Sequence, residues 1–153
     1  MTRRDLVTEL MLETFRLNGS LLAAGDALVA DLGLTSARWQ VLGAIALSPV
    51  PLPVAHIARN MGLTRQAVQR LANELERRGL VRFAPNPHHQ RAKLVLLTLR
   101  GRAAYDAAMK RQQPWASRLA EGLGARRIDG AAATLRAIRR RLEDQVEGGD
   151  DDA

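Results

Sequence analysis

The sequence predicts a mainly α-helical fold with a small two- or three-stranded β wing, a winged helix-turn-helix lobe set on a base of long helices. Three observations predict it. Residues 53–79 (PVAHIARNMGLTRQAVQRLANELERRG) carry two short helical periodicities parted by a glycine. Behind them LVRF and AKLVLLT suit two short strands around a tip rich in proline and histidine. The segments at both ends of the chain repeat apolar residues at helical spacing, more of them than one small lobe can cover.

In chain order, 5–30 reads as a long helix, with Leu6, Leu10, Phe15, Leu17, Leu21, Leu22, Leu28 and Val29 recurring at roughly helical spacing. Gly19 and Gly25 each weaken a helix interior by about 1 kcal/mol relative to Ala, so a bend is expected. Thr35 or Ser36 caps a second helix through Leu47 that includes Trp39, Leu42, Gly43 and Ala46; 48–53 is a proline-rich loop. Trp39 is most simply a core anchor, and it is also the candidate residue for stacking on a small effector.

In the motif itself, Val54, Ile57, Ala58 and Met61 form one apolar stripe, and Pro53 is tolerated at its start because first-turn amides need no partner. Gly62 closes this helix, and Thr64 caps the next. There Val68, Leu71, Ala72 and Leu75 form the buried stripe, while Gln66, Gln69, Arg70, Asn73 and Arg77 point outward. Amide and guanidinium side chains pair bidentately with adenine and guanine edges in the major groove of DNA. On that ground Gln66, Gln69 and Arg70 are candidate base readers. Thr64 and Arg65, at the helix start where amide dipoles favour an anion, are candidate phosphate contacts. Asn73 on the helix, and His89, Arg91 and Lys93 on the wing, complete the candidate DNA-binding set. A cationic wing tip beside such a helix can reach the flanking minor groove. The bland alternatives are a helical hairpin with a solvated polar face and an ordinary β-turn.

A helix over 99–123, capped by Thr98, places Tyr105, Ala108, Met109, Trp115 and Leu119 inward, and Pro114 should kink it. A last helix at 125–146 repeats Ile128, Leu135, Ile138 and Leu142 between arginines. Terminal helices of this kind cannot bury their faces on one lobe, which makes pairing with a second copy the economical explanation. The organisation is thus one domain over 1–147, with the winged helix-turn-helix at about 35–100 and dimerisation helices at about 5–30 and 99–146. A polar, acidic tail at 148–153 (GGDDDA) is expected to be disordered.

The motif LTRQAVQRLANELERRGLV followed by NPHHQRAKLVLLTLRGR resembles the recognition helix and wing of the MarR family of bacterial transcription regulators. The resemblance extends along nearly the whole chain. It implies a homodimer of winged helix-turn-helix lobes on a helical dimerisation base, usually a repressor released by a small ligand or by oxidation. It also implies an effector site between lobe and base. One departure stands out: the family's wing usually carries Asp two residues before the tip arginine, and here that position, before Arg91, is His89. An aspartate would orient Arg91 by a charge-assisted bond that a histidine cannot match. An imidazole near phosphate also takes up a proton more readily, so DNA affinity is expected to rise as pH falls from about 8 to 6.

Charge supports the same reading. The formal net charge is +7, and residues 51–100 hold nine Lys/Arg against two acids, which is the whole of that excess. The remainder carries fourteen of each sign. Such localisation is the footprint of a polyanion partner, double-stranded DNA above all. The absence of cysteine excludes disulfides, Cys-ligated zinc and thiol sensing; of the two release signals that the resemblance implies, the expectation is therefore the small ligand, of aromatic or phenolic type. No run reaches the roughly 18 apolar residues of a membrane helix, so no membrane partner and a cytoplasmic location are expected. His88 with His89 lacks the carboxylate that would fix a metal, and neither a phosphate loop nor a catalytic grouping stands out. No catalytic residue, metal or cofactor is expected. The competing class is a winged helix that docks an acidic protein partner, which steep salt dependence and preference for one duplex would distinguish from DNA binding.

Overall fold

The computed structural model describes residues 1–147, so the tail expected at 148–153 lies outside the described residues. The chain divides into two compact units, Met1–Gln113 and the segment from Pro114 onward.

In the first unit, α1 spans Arg3–Val29. It opens on a reciprocal cap that periodicity alone does not reveal: the Asp5 amide donates to Thr2 Oγ1 (3.2 Å) and the Thr2 amide donates to Asp5 Oδ2 (2.8 Å). The backbone bond from Thr2 holds the Asp5 carboxyl below its usual value. A single 3-10 turn (Ala30–Leu32) and Gly33, at φ 70°, turn the chain into α2 (Ser36–Ala46), capped by Thr35. Gly25 proves to be a point of close approach. A Cβ there would lie 2.2 Å from Ser36 Oγ, which donates to Leu22 O (2.8 Å), while the Ser36 amide donates to Asp26 Oδ1 (2.7 Å).

The helix-turn-helix follows as α3 (Val54–Met61) and α4 (Arg65–Arg77). Gly62, at φ 65°, is the left-handed cap, and Leu63 returns its amide to Ala58 O, closing the first helix within one turn. The expected stripes are buried: Val54, Ile57 and Ala58 on α3, and Val68, Leu71, Ala72 and Leu75 on α4; Met61 packs partly buried against them. With Val29, Leu34, Val41, Leu42, Val81, Val95, Tyr105 and Ala108 they form one core.

The sheet is three-stranded and antiparallel, ordered β1 (Leu52–Pro53), β3 (Leu94–Leu97), β2 (Val81–Ala84). The reading of 48–53 as wholly loop is corrected here, since Leu52 and Pro53 pair with Val95 and Leu94. An edge strand of two residues tolerates Pro53 because its missing amide is not needed on the outer side.

Thr98 joins this sheet to α5 (Leu99–Ala120). Its hydroxyl accepts from the Gly101 amide (3.0 Å) and donates to Gly79 O (2.6 Å), and its amide donates to Leu80 O (3.1 Å). Gly101 is obligatory at this crossing, since a Cβ would stand 1.8 Å from Leu80 O. Further along α5, Arg111 donates to Leu28 O (3.1 Å) at the end of α1 and grips the Asp31 carboxylate with both terminal nitrogens. That bond holds the Asp31 carboxyl below its usual range and raises Arg111.

α5 includes Pro114, which lacks the amide for one ladder bond and is the residue at which the second unit begins. That unit comprises the end of α5 and α6 (Ala125–Glu147), joined through Gly122 at φ 75°. Leu119, expected on the inner side of its helix, is 55 % exposed in the single chain, and Ile128, Leu135 and Leu142 of α6 are exposed as well. In the first unit α1 behaves similarly: Leu6, Met11, Phe15, Leu17 and Leu21 are all exposed, Phe15 at 72 %. Among the described residues no single helix is long and apolar enough to cross a membrane.

Candidate nucleic-acid interface

The groove between α4 and the wing is built from the polar face left over once α4 has buried its apolar one. The amphipathic period leaves positions 66, 69, 70, 73 and 77 on a common outer arc. Thr64 fixes where that arc begins, since its Oγ1 accepts from the Ala67 amide (3.1 Å) and satisfies one of the orphan first-turn donors. The β2–β3 hairpin folds alongside, with Arg82 opposite Leu96 and Ala84 opposite Leu94. Its tip turns on Asn86, whose side chain accepts from the His88 amide (3.0 Å) and whose carbonyl accepts from His89 (3.3 Å).

The two elements enclose an open groove of about 1160 Å³. Seven of the nine candidate DNA-binding residues line it together: Arg65, Gln66, Gln69, Arg70 and Asn73 from α4, with Arg91 and Lys93 from the wing. Thr64 and His89 are not on its wall. The first is engaged as the helix cap, and the second sits exposed in the wing-tip turn. Trp39 lies elsewhere, half-buried on α2 against the core. Pro53, Ala55, Glu76 and Phe83, which no sequence pattern marks as site residues, also line the groove. Phe83 shares a strand face with the buried Val81 and packs partly buried against the core, so it reaches the groove as an apolar edge of that core.

Five cations face this space, Arg65, Arg70, Arg77, Arg91 and Lys93, against one acid, Glu76. The second acid of α4, Glu74, is drawn off the groove by Arg38 of α2, whose Nε and Nη2 donate to Glu74 Oε2 at 3.3 and 3.2 Å. Both side chains are about three-quarters buried or more. Behind them Arg78 donates to Gly33 O (3.2 Å), a second tie from the end of α4, here to the turn that precedes α2. Inside the groove Gln69 Nε2 donates to Asn73 Oδ1 at 2.9 Å. A rigid helix presenting amides and guanidinium groups beside a cationic ribbon has the dimensions and the charge to sit against a duplex.

Comparison with known proteins agrees with this geometry. A family model described as the MarR family matches residues 32–92. An uncharacterized protein of Mycobacterium tuberculosis is 35 % identical over 134 residues, covering 88 % of this chain and 92 % of its own. CouR from Rhodococcus jostii RHA1, solved bound to p-coumaroyl-CoA, superposes with a TM-score of 0.73 at 29 % identity over 80 % of this chain and 86 % of its own. The Mycobacterium tuberculosis transcriptional regulator MosR, solved in complex with DNA, superposes with a TM-score of 0.73 at 26 % identity, covering 86 % and 96 %.

Proposed function

Because the chain belongs to the MarR family of DNA-binding transcription regulators, we propose that it is a ligand-responsive, sequence-specific repressor acting as a cytoplasmic homodimer on a pseudo-palindromic operator. The observation that carries this reading is the α4–wing groove, where five cations and three side-chain amides face outward together. Arg65, beside the capped helix start, meets phosphate, as do the wing cations Arg91 and Lys93; Gln66, Gln69 and Arg70 read base edges. Thr64 assists chiefly by holding the helix end in place, and His89 reaches DNA only at the wing tip. The exposed apolar residues of α1 and α6 give a second copy its binding surface. Two copies would set the reading helices about 34–36 Å apart, one turn of duplex.

The effector is a small aromatic or phenolic compound bound near Trp39. That CouR was solved with an aromatic acyl thioester supports this class. Such a ligand acts by favouring the spacing of the two lobes that does not fit the operator, since one that binds both spacings equally shifts nothing.

The test is fluorescence anisotropy of the protein on the duplex upstream of its own coding region, titrated with salt and with random competitor. Affinity that falls steeply with salt and resists random duplex is expected. Salt dependence without preference for any duplex would leave the acidic-protein partner as the better reading. A sedimentation profile showing only monomer with full operator affinity would remove the dimer.

A further inference from the structure

We propose that Asn73 is a positioning residue that acts on the operator through Gln69, so that the pair reads one base while Asn73 itself contacts none. The inference rests on the DNA-binding reading of the groove. Gln69 and Asn73 lie one turn apart on the outer arc of α4, both on the groove wall, and Gln69 Nε2 donates to Asn73 Oδ1 at 2.9 Å. Their exposures differ: Gln69 is exposed, whereas Asn73, deeper toward the helix C-terminus, is half-buried.

An unrestrained glutamine amide turns freely about its last bond and offers donor and acceptor in either order. It then makes acceptable contacts with several bases. With the half-buried Asn73 presenting Oδ1, the bond spends one of the two Nε2 hydrogens and sets which end of the Gln69 amide is nitrogen. What remains, the carbonyl oxygen and the second N–H, is the acceptor-and-donor pair that the N6 and N7 edge of adenine requires. Pre-setting this order also removes part of the rotamer entropy that a long polar side chain loses on binding. Asn73 therefore contributes selectivity for an A·T pair at the position beneath Gln69, and the bond that supplies it is already present without DNA.

The experiment is a double-mutant cycle scored base by base. The full-length protein selects its preferred duplex from a randomised library, and that duplex and its single base-pair variants are titrated with the parent, Q69A, N73A, N73D and Q69A/N73A. Thermal melts establish that each variant is folded. The parent is expected to prefer A·T about tenfold at one position of each half-site, and Q69A to abolish that preference. N73A should lose most of the same preference at the same position and at no other, and the double variant should bind no more weakly than Q69A. N73D keeps an acceptor oxygen for Gln69 and should keep the positional preference even though added negative charge lowers its affinity for every duplex. Multiplying losses in the double variant, or a separate base-pair position that only N73A affects, would overturn the inference, because Asn73 would then have its own contact. Failure of the parent to select any duplex would overturn the DNA-binding reading instead, a result distinguishable from either of these.

Discussion

Replacing Thr98 by alanine removes two hydrogen bonds from the joint between the sheet and α5. One is the helix cap, the Gly101 amide on Oγ1 at 3.0 Å; the other is the hydroxyl's own donation to Gly79 O at 2.6 Å. A lost N-cap costs about 1 kcal/mol, and a hydrogen bond in a part-buried setting about 1 kcal/mol net. Thr98→Ala should therefore lose about 2 kcal/mol. At about 2–4 °C per kcal/mol for a chain of this size, the melting temperature should fall by about 4–8 °C. Thr98→Ser keeps the oxygen that makes both bonds and loses only a methyl group, so it should stay within about 0.5 kcal/mol of the parent. Urea unfolding of the three proteins at one fixed concentration provides the measurement, since an associating protein's stability depends on concentration. An alanine variant as stable as the parent would refute the assignment, and so would a serine variant that falls as far as alanine.

Gly101→Ala should cost at least about 1–3 kcal/mol, visible as a lower urea midpoint, because its Cβ would meet the Leu80 carbonyl at 1.8 Å and backbone has little room to give; an unchanged midpoint would contradict the close approach. Asp31 has a folded-state carboxyl pKa depressed by Arg111, so its stabilising effect is present above the unfolded value near 3.8 and is lost as pH falls through the folded one. Parent and Asp31→Asn should accordingly differ by a constant amount from about pH 5 to 7 and converge in acid, and a gap that widens in acid would reverse the sign. Arg65→Ala should weaken all duplexes alike and flatten the log-log salt dependence by about 0.9 per protomer, whereas Arg70→Ala should cost about 1–3 kcal/mol and relax preference at one base pair. Equal losses on specific and random duplex for both variants would remove the division of roles.

The helix-turn-helix was legible because everything that makes it is local. Three buried positions at helical spacing, Gly62 at the one left-handed residue of the turn and Thr64 at the cap are all contained within a dozen residues. The groove wall was legible for the same reason, as the polar complement of the stripe Val68, Leu71, Ala72 and Leu75. What stayed hidden depends on partners distant in sequence. Leu52 and Pro53 become a strand only because Val95 and Leu94 offer the other edge. Gly25 weakens α1 as local sequence, and the need for it arises only from Ser36 packed against it. No spacing rule brings Arg111 to Asp31, or turns Glu74 away from the groove toward Arg38. By charge alone Glu74 and Glu76 are alike, although of the two only Glu76 faces the groove.

The way α4 is fastened has a consequence for how such a protein changes its target. Four apolar residues and two ties at the rear, Glu74 to Arg38 and Arg78 to Gly33 O, hold the helix, and none of them reaches the front. Positions 66, 69 and 70 are exposed and carry no packing duty, so a lineage could exchange them with little penalty to folding. Mounting and lettering are separate parts of the same helix. A duplicated gene could thus acquire a new operator by a few front-face substitutions while inheriting its scaffold intact. The same separation makes these three positions the natural ones to randomise when retargeting the protein as a laboratory switch.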